Sequence, residues 1–150
     1  MEFVTQNSTQ TKKSGKVLGQ EILKIKPSKN AFFLCLQGEL GGGKTTFLQG
    51  LARGLGIKEN ILSPTFIIMK RFNIQGSRFK NFYHIDCYRI EKPKEILSLG
   101  FKEIIKSPQN IIAIEWAERI KKIIPQNAIW IRFEFVDKKK RRIIVKNPKS

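Results

Sequence analysis

Cysteine and long apolar runs are the two features most nearly missing from this chain of 150 residues. Cysteine occurs twice, and Cys35 and Cys87 each lie inside an apolar run, which predicts buried free thiols rather than a disulfide or a metal site. No apolar run approaches the length of a membrane span, and residues 1–16 lack the apolar centre of a signal peptide. We therefore expect a cytoplasmic protein with no membrane partner.

Acidic residues are also scarce, with 12 Asp and Glu against 29 Lys and Arg, for a formal net charge of +17. Such a charge attracts nucleotides, RNA and acidic protein surfaces. The joint abundance of Lys, Ile, Asn and Phe is equally consistent with AT-rich coding, so the charge permits a role with RNA without establishing one. The hydrophobic fraction of 41% predicts a folded chain, and we expect residues 1–150 to form one domain with residues 1–10 frayed.

The most informative stretch has the pattern G-x-x-x-x-G-K-[ST] of a P-loop, or Walker A motif. Glycine lets such a backbone bend tightly around an anion, and successive N–H groups form a nest for phosphate oxygens. The lysine would reach the β- and γ-phosphates, and the threonine hydroxyl would bind Mg²⁺. The residues of the pattern are Gly38, Glu39, Leu40, Gly41, Gly42, Gly43, Lys44 and Thr45.

The context of this stretch favours a true P-loop over a flexible glycine-rich loop. Residues 31–36 form a continuous apolar run, as expected of a strand covered on both faces, and residues 46–55 carry apolar residues at helical spacing. Further along the chain, strands and helices alternate, and residues 128–136 and 142–145 indicate a terminal hairpin. The pattern predicts a three-layer α/β, P-loop NTPase-like domain with a mixed, mostly central sheet and a C-terminal hairpin.

Two carboxylates end apolar strands, as the acid of a Walker B element does. Asp86 follows residues 82–85, and Glu115 follows residues 111–114. Ligands of such sheets bind beyond the carboxyl ends of the strands, so both acids are expected beside the P-loop. One could hold Mg²⁺ while the other orients the attacking water, and the residues alone leave the assignment open. For His84, the single histidine, we predict a structural hydrogen bond rather than general-base catalysis.

Three function classes are compatible with these features. The chain has no N/T-K-x-D element for guanine, which favours ATP as the nucleotide. A small-molecule kinase would need an Arg-rich lid, and residues 101–109 leave little room for one. The leading interpretation is therefore an ATPase. A small P-loop kinase acting on a metabolite and a basic RNA-binding module with a vestigial P-loop are the alternatives.

Four motifs in order resemble the TsaE (YjeE) family, the bacterial ATPase of tRNA threonylcarbamoyladenosine biosynthesis. They are the P-loop extended to Thr46, the Ser-Pro-Thr-Phe of residues 63–66, the His-Ile-Asp-Cys-Tyr-Arg of residues 84–89 and the Glu-Trp-Ala-Glu of residues 115–118. The P-loop alone is generic, whereas the ordered set is specific. The resemblance covers about residues 11–145.

The resemblance implies a role for each matching residue. Residues from Gly41 to Thr46 would bind the phosphates, Thr45 and Glu115 would hold Mg²⁺, and Asp86 would act in hydrolysis. Thr65 matches a switch-like loop over the γ-phosphate, and Thr11 matches a threonine near the nucleotide base.

The resemblance also implies partners. The family works with TsaD and TsaB, which transfer threonylcarbamoyl to adenosine 37 of ANN-decoding tRNAs, so tRNA would be contacted indirectly or weakly. ATP and Mg²⁺ would be the cofactors of an ATPase that is slow without its partners.

Overall fold

The computed structural model describes residues 1–26, 28–38, 43–62 and 68–147. Within these ranges one mixed sheet holds seven strands in the order β1-β7-β6-β2-β5-β4-β3. The strands are β1 Glu2–Thr5, β2 Phe32–Gln37, β3 Met69–Asn73, β4 Asn81–Asp86, β5 Asn110–Glu115, β6 Ile129–Phe135 and β7 Arg141–Lys146. The helices are α1 Ser8–Ile22, α2 Lys44–Gly54, α3 Lys94–Leu97, α4 Phe101–Lys106 and a 3₁₀ helix Ala117–Ile123.

Four parallel strands occupy the centre of the sheet, as β6, β2, β5 and β4. Antiparallel strands complete both edges, with β3 beside β4, and β7 and β1 beyond β6. The strands β2 and β5 read as unbroken apolar runs because helices cover both of their faces. The mixed α/β sheet and the terminal β6–β7 hairpin confirm the predicted fold class.

The core lies in two layers, one on each face of the sheet. On the first face, Leu34 and Ile111 pack with Leu48 and Leu51 of α2 and Ile22 of α1. On the second face, the alternate strand residues pack with residues of α3, α4 and the 3₁₀ helix. Side chains of a strand alternate between faces, so residues two positions apart share a layer. Cys35 and Cys87 are both buried and free, as predicted.

The prediction of a frayed N-terminus is wrong. Strand β1 pairs with β7, and Thr5 lies opposite Arg141. Asn7 then caps α1, because its side chain accepts a hydrogen bond from the backbone N–H of Gln10. The apolar spacing over residues 17–25 predicts a helix from near Thr11 through Lys26, whereas α1 begins at Ser8 and ends at Ile22. The four-residue strand has no local signal, because its stability comes from a partner more than 130 residues away.

Pro93 at the start of an apolar, helically spaced segment predicts one helix running to about Ile105, and the structure has two short helices instead. Helix α3 ends at Leu97, and α4 begins at Phe101 after Gly100, whose φ is +84°. A left-handed residue cannot continue an α-helix, so the chain turns there. Within the described residues, no helix has the length and apolar character needed to cross a membrane.

Candidate functional site

The carboxyl ends of three neighbouring strands form the site. Gly38 follows β2, Asp86 ends β4, and Glu115 ends β5, which lies between them. Asp86 and Glu115 are direct cross-strand partners. The sheet therefore brings together the P-loop and both candidate acids, as expected of parallel strands.

Two glycines at the described ends of the P-loop take conformations that favour glycine. Gly38 has φ +139°, and a Cβ there would lie 2.4 Å from the carbonyl oxygen of Phe133. Gly43 has φ +97° and immediately precedes α2, which begins at Lys44. Since the N–H groups of the first turn point out of the helix end, this end of α2 can receive an anion.

A chain of hydrogen bonds links the P-loop helix to two strands. Thr45 Oγ1 donates to Glu115 Oε1 at 3.2 Å. The other oxygen of the same carboxylate, Oε2, lies 2.7 Å from His84 Nε2. His84 and Glu115 are each only 2% exposed. The predicted structural role of the histidine thus has a defined partner that the sequence did not indicate.

Lys44 is 5% exposed, which is rare for an ammonium group. Its Nζ donates to the carbonyl oxygen of Gly38 and lies 4.4 Å from the centre of the Trp116 ring. A cation over an indole face is stabilised by roughly 0.5–2 kcal/mol, depending on desolvation. From the sequence, Trp116 beside Glu115 is expected to pack in the core rather than to stack on a base, and in the structure its ring contacts the P-loop lysine.

Trp116 is the one non-glycine residue with a positive φ among those described, at φ 58° and ψ 40°. Such a conformation costs a bulky residue on the order of 1–3 kcal/mol and must be held by its surroundings. The centre of the Tyr88 ring lies 5.2 Å from the centre of the Trp116 ring. The Arg119 guanidinium lies 5.5 Å from the centre of the same Trp116 ring, which Lys44 also contacts. The strained turn therefore directs the ring toward the P-loop.

Asp86 is 8% exposed and lies on the same strand as His84, two residues further along. Its Oδ1 accepts the backbone N–H of Tyr88 at 2.9 Å, which fixes the carboxylate at the strand end. Nearby, desolvation raises the pKa of the Glu118 carboxyl, while its own backbone hydrogen bond and the charges of Lys44 and Arg119 act in the opposite direction. The site therefore holds acidic groups in several distinct environments.

Thr11 and Arg141 lie next to Gly43, the last glycine of the loop. A Cβ on Gly43 would lie 3.5 Å from Thr11 Cγ2 and 3.5 Å from Arg141 Cγ. Thr11 is buried, and its hydroxyl is 2.7 Å from that of Thr5. The sequence does not indicate this position of Arg141, because the basic run from Lys138 to Arg142 is typical of a solvated turn and Arg141 approaches Gly43 from the beginning of β7.

Part of the predicted site lies outside the described residues, namely Glu39, Leu40, Gly41, Gly42 and Thr65. Thr46 lies in the first turn of α2 and is partly buried. Among described residues, no group of three or more His, Cys, Asp or Glu side chains could hold a metal by itself. The oxygens of Thr45 and Glu115 could hold one together with ligands from a bound nucleotide.

A family model, "Threonylcarbamoyl adenosine biosynthesis protein TsaE", matches residues 5–143 of the chain. The matched span contains every element from Thr5 to the middle of β7, and with it all the site residues described above.

Curated relatives bear the same designation. The chain is 34% identical over 123 residues to "tRNA threonylcarbamoyladenosine biosynthesis protein TsaE" of Haemophilus influenzae, covering 82% of this chain and 75% of that protein. The protein so named in Treponema pallidum is 30% identical over 145 residues, covering 97% and 99%. Among solved structures, that of YdiB from Bacillus subtilis superposes with a TM-score of 0.76 at 29% identity, covering 99% of this chain and 86% of that one.

Proposed function

The chain belongs to the TsaE family, and from that membership and the site geometry we propose that it is a Mg²⁺-dependent ATPase serving the threonylcarbamoyl modification of adenosine 37 in ANN-decoding tRNAs. One observation carries the enzymatic part of the proposal. The hydroxyl of Thr45 meets the buried carboxylate of Glu115 at the mouth of a P-loop. This pairing of a Walker A hydroxyl with a strand-end acid is the arrangement that Mg-nucleotide chemistry requires.

The donor set fits Mg²⁺. This ion takes octahedral oxygen ligands at about 2.0–2.1 Å, which puts two neighbouring ligands roughly 3 Å apart. Thr45 Oγ1 and Glu115 Oε1 are 3.2 Å apart, so both could ligate one ion with little movement. Held by Thr45 and Glu115, Mg²⁺ would supply positive charge that neutralises the charge developing on the transferred phosphoryl group.

The remaining residues position the nucleotide. Lys44 already rests on the Gly38 carbonyl beside the loop, and phosphate oxygens would replace that carbonyl as its acceptor. Thr46 and the loop amides would hold the phosphates from the helix end. Thr11 and Arg141, both next to Gly43, would border the nucleoside.

Asp86 would orient the attacking water. It is held at the strand end by the Tyr88 N–H, directly across from Glu115, and so lies one strand away from the proposed metal ligand. In this class of reaction the protein acts mainly by positioning and electrostatics, and a carboxylate that holds the water is sufficient. This division assigns the metal to Glu115 and hydrolysis to Asp86.

Cytoplasmic TsaD and TsaB would be the protein partners, with tRNA contacted indirectly or weakly. The family designation supports the pathway, and the net charge of +17 is compatible with a polyanion close by. The partner assignment rests on family membership.

Nucleotide binding gives the first test. Lys44→Ala removes a charge-assisted contact of roughly 1.5–3 kcal/mol, so we expect the dissociation constant for ATP to rise at least about tenfold. Isothermal titration calorimetry measures it. Lys102→Ala, an exposed lysine on α4, is the matched control and should bind as the wild type does. An unchanged dissociation constant for ATP in a folded Lys44→Ala protein would contradict the P-loop assignment and would favour the alternative of an RNA-binding module with a vestigial P-loop.

Dependence on partners gives the second test. We expect slow steady-state phosphate release by the chain alone, acceleration when TsaD and TsaB are added together, and loss of the acceleration in Thr65→Ala. A segment that closes over the γ-phosphate only when partners bind would produce this pattern. Ser107→Ala, at the end of α4, is the control. Fast turnover by the chain alone, unaltered by the partners, argues against the dependence, and transfer of phosphate to a metabolite instead of water would indicate the kinase alternative.

A further inference from the structure

The single histidine of the chain contacts one oxygen of Glu115. His84 Nε2 lies 2.7 Å from Glu115 Oε2, with both side chains almost completely buried. We assign the hydrogen of this contact to Nε2, because an ionised carboxylate can only accept hydrogen bonds. The two residues lie diagonally on neighbouring strands, since His84 is opposite Ala113 and Glu115 is opposite Asp86.

The two oxygens of Glu115 consequently face different partners. Oε1 points to the P-loop helix, where Thr45 donates to it, and Oε2 points to β4, where His84 donates to it. A buried carboxylate with both oxygens engaged by fixed side chains has little freedom to rotate. Oε1 is therefore the oxygen that lies beside Thr45, the other proposed metal ligand.

We propose that His84 is a positioning residue that restricts Glu115 to ligation through one oxygen and thereby favours Mg²⁺ over Ca²⁺ at this site. The inference rests on the proposed function, in which Glu115 is a metal ligand. Mg²⁺ accepts one oxygen per carboxylate in a strict octahedron, whereas Ca²⁺ takes six to eight oxygens at about 2.3–2.6 Å and often binds both oxygens of one carboxylate. Holding Oε2 on β4 removes the second oxygen that Ca²⁺ would use.

A merely structural role for His84 makes a different prediction. If the histidine only satisfies a buried acid, its replacement weakens nucleotide binding with either cation by the same factor. If it restricts the mode of ligation, its replacement changes the ratio of the two affinities. The ratio is therefore the quantity to measure, and general loss of stability does not move it.

The experiment compares three forms of the chain by calorimetry with a non-hydrolysable ATP analogue, in Mg²⁺ and separately in Ca²⁺. We expect the wild type to bind more tightly with Mg²⁺. His84→Leu, which cannot donate, should lower the Mg²⁺-over-Ca²⁺ affinity ratio by about tenfold, the lower end of the effect of outer partners on metal affinity. His84→Gln, whose amide can donate to the same oxygen, should restore most of the ratio.

The outcomes separate the two levels of inference. If His84→Leu loses the same factor of nucleotide affinity with both cations, the role of His84 in selectivity is overturned and the proposed ATPase function is unaffected. A wild type that binds the analogue equally well without any divalent cation overturns the proposed metal site itself.

A second measurement needs no variant. With ¹⁵N-labelled histidine, the one imidazole gives an unambiguous spectrum, and the Nε2–H form should persist when Mg²⁺ and the analogue are added. Loss of that hydrogen bond on Mg²⁺ binding would mean that Oε2 turns to the metal, which contradicts the proposal even if the leucine variant does not fold.

Discussion

Asp86→Ala should bind ATP with nearly wild-type affinity and hydrolyse it at least about a hundredfold more slowly. The expected loss follows from the position of the side chain, which is fixed at the end of β4 by the Tyr88 N–H and separated from the phosphate-binding loop by the strand that carries Glu115. A group that positions or deprotonates the nucleophile contributes typically 10²–10⁴ in rate, and its removal need not affect ground-state binding. Single-turnover phosphate release together with calorimetry makes the comparison.

Glu115→Ala is the matched variant, and we expect it to weaken Mg²⁺-dependent nucleotide binding, which Asp86→Ala should leave nearly unchanged. Its carboxylate accepts from Thr45 and from His84, so its removal takes away the acid next to the P-loop hydroxyl. We expect the Mg²⁺ concentration needed for half-maximal nucleotide binding to rise about tenfold or more, with Mg²⁺-independent binding less affected. Glu103→Ala, an exposed acid of α4, controls for loss of charge. The reverse pattern in the two variants would show that Asp86 and Glu115 have exchanged roles.

Gly50→Ala should destabilise the fold by about 3 kcal/mol, the upper end of the cost of overpacking. Helices α1 and α2 touch through their backbones, and a Cβ on Gly50 would lie 1.8 Å from the carbonyl oxygen of Lys12. The contact is reciprocal, since a Cβ on Gly15 would lie 2.1 Å from the carbonyl oxygen of Phe47. Backbone atoms cannot move aside as a side-chain end can, so the two helices would have to separate.

The opposing effect is smaller. Alanine is favoured over glycine inside a helix by about 0.8–1.0 kcal/mol, so a site with open space would be stabilised. Urea unfolding measures the difference in the free energy of unfolding between the wild type and Gly50→Ala, provided that the two have the same denaturant slope. Gln20→Ala, on the exposed side of α1, is the control, and its free energy of unfolding should stay within about 0.5 kcal/mol of the wild type. A Gly50→Ala protein of unchanged or higher stability would mean that the two helices are not in backbone contact. Separation of the two helices in Gly50→Ala would also move Thr11 on α1 away from the beginning of α2. We therefore expect this variant to lose nucleotide affinity as well as stability.

The spacing of glycines on the two helices could have indicated this contact. Gly15 and Gly19 are four residues apart on α1, and Gly50 and Gly54 are four apart on α2. Small residues at that interval lie on one face of a helix and allow another helix to approach closely. The sequence shows both pairs, but nothing local indicates that they face each other.

Sequence patterns by themselves determined the features that depend on neighbouring residues. The strand before the P-loop, the helix after it and the acids that end β4 and β5 each follow from short-range periodicity and the chemistry of a few adjacent side chains. Because parallel strands end at one edge of a sheet, these local patterns also implied that Asp86 and Glu115 would approach the loop.

Tertiary structure alone decided which side chains meet. The pairing of β1 with β7, the bond of His84 to Glu115, the contact of Lys44 with Trp116 and the approach of Arg141 to Gly43 join residues that are far apart in the chain. Such contacts depend on strand order, register and helix packing, which are set by burial summed over the whole domain and leave no pattern in a short window of sequence. Local patterns therefore indicated that two acids would approach the loop, whereas the orientation of the Glu115 carboxylate came only from the fold, because it is determined by Thr45 and His84 on different elements.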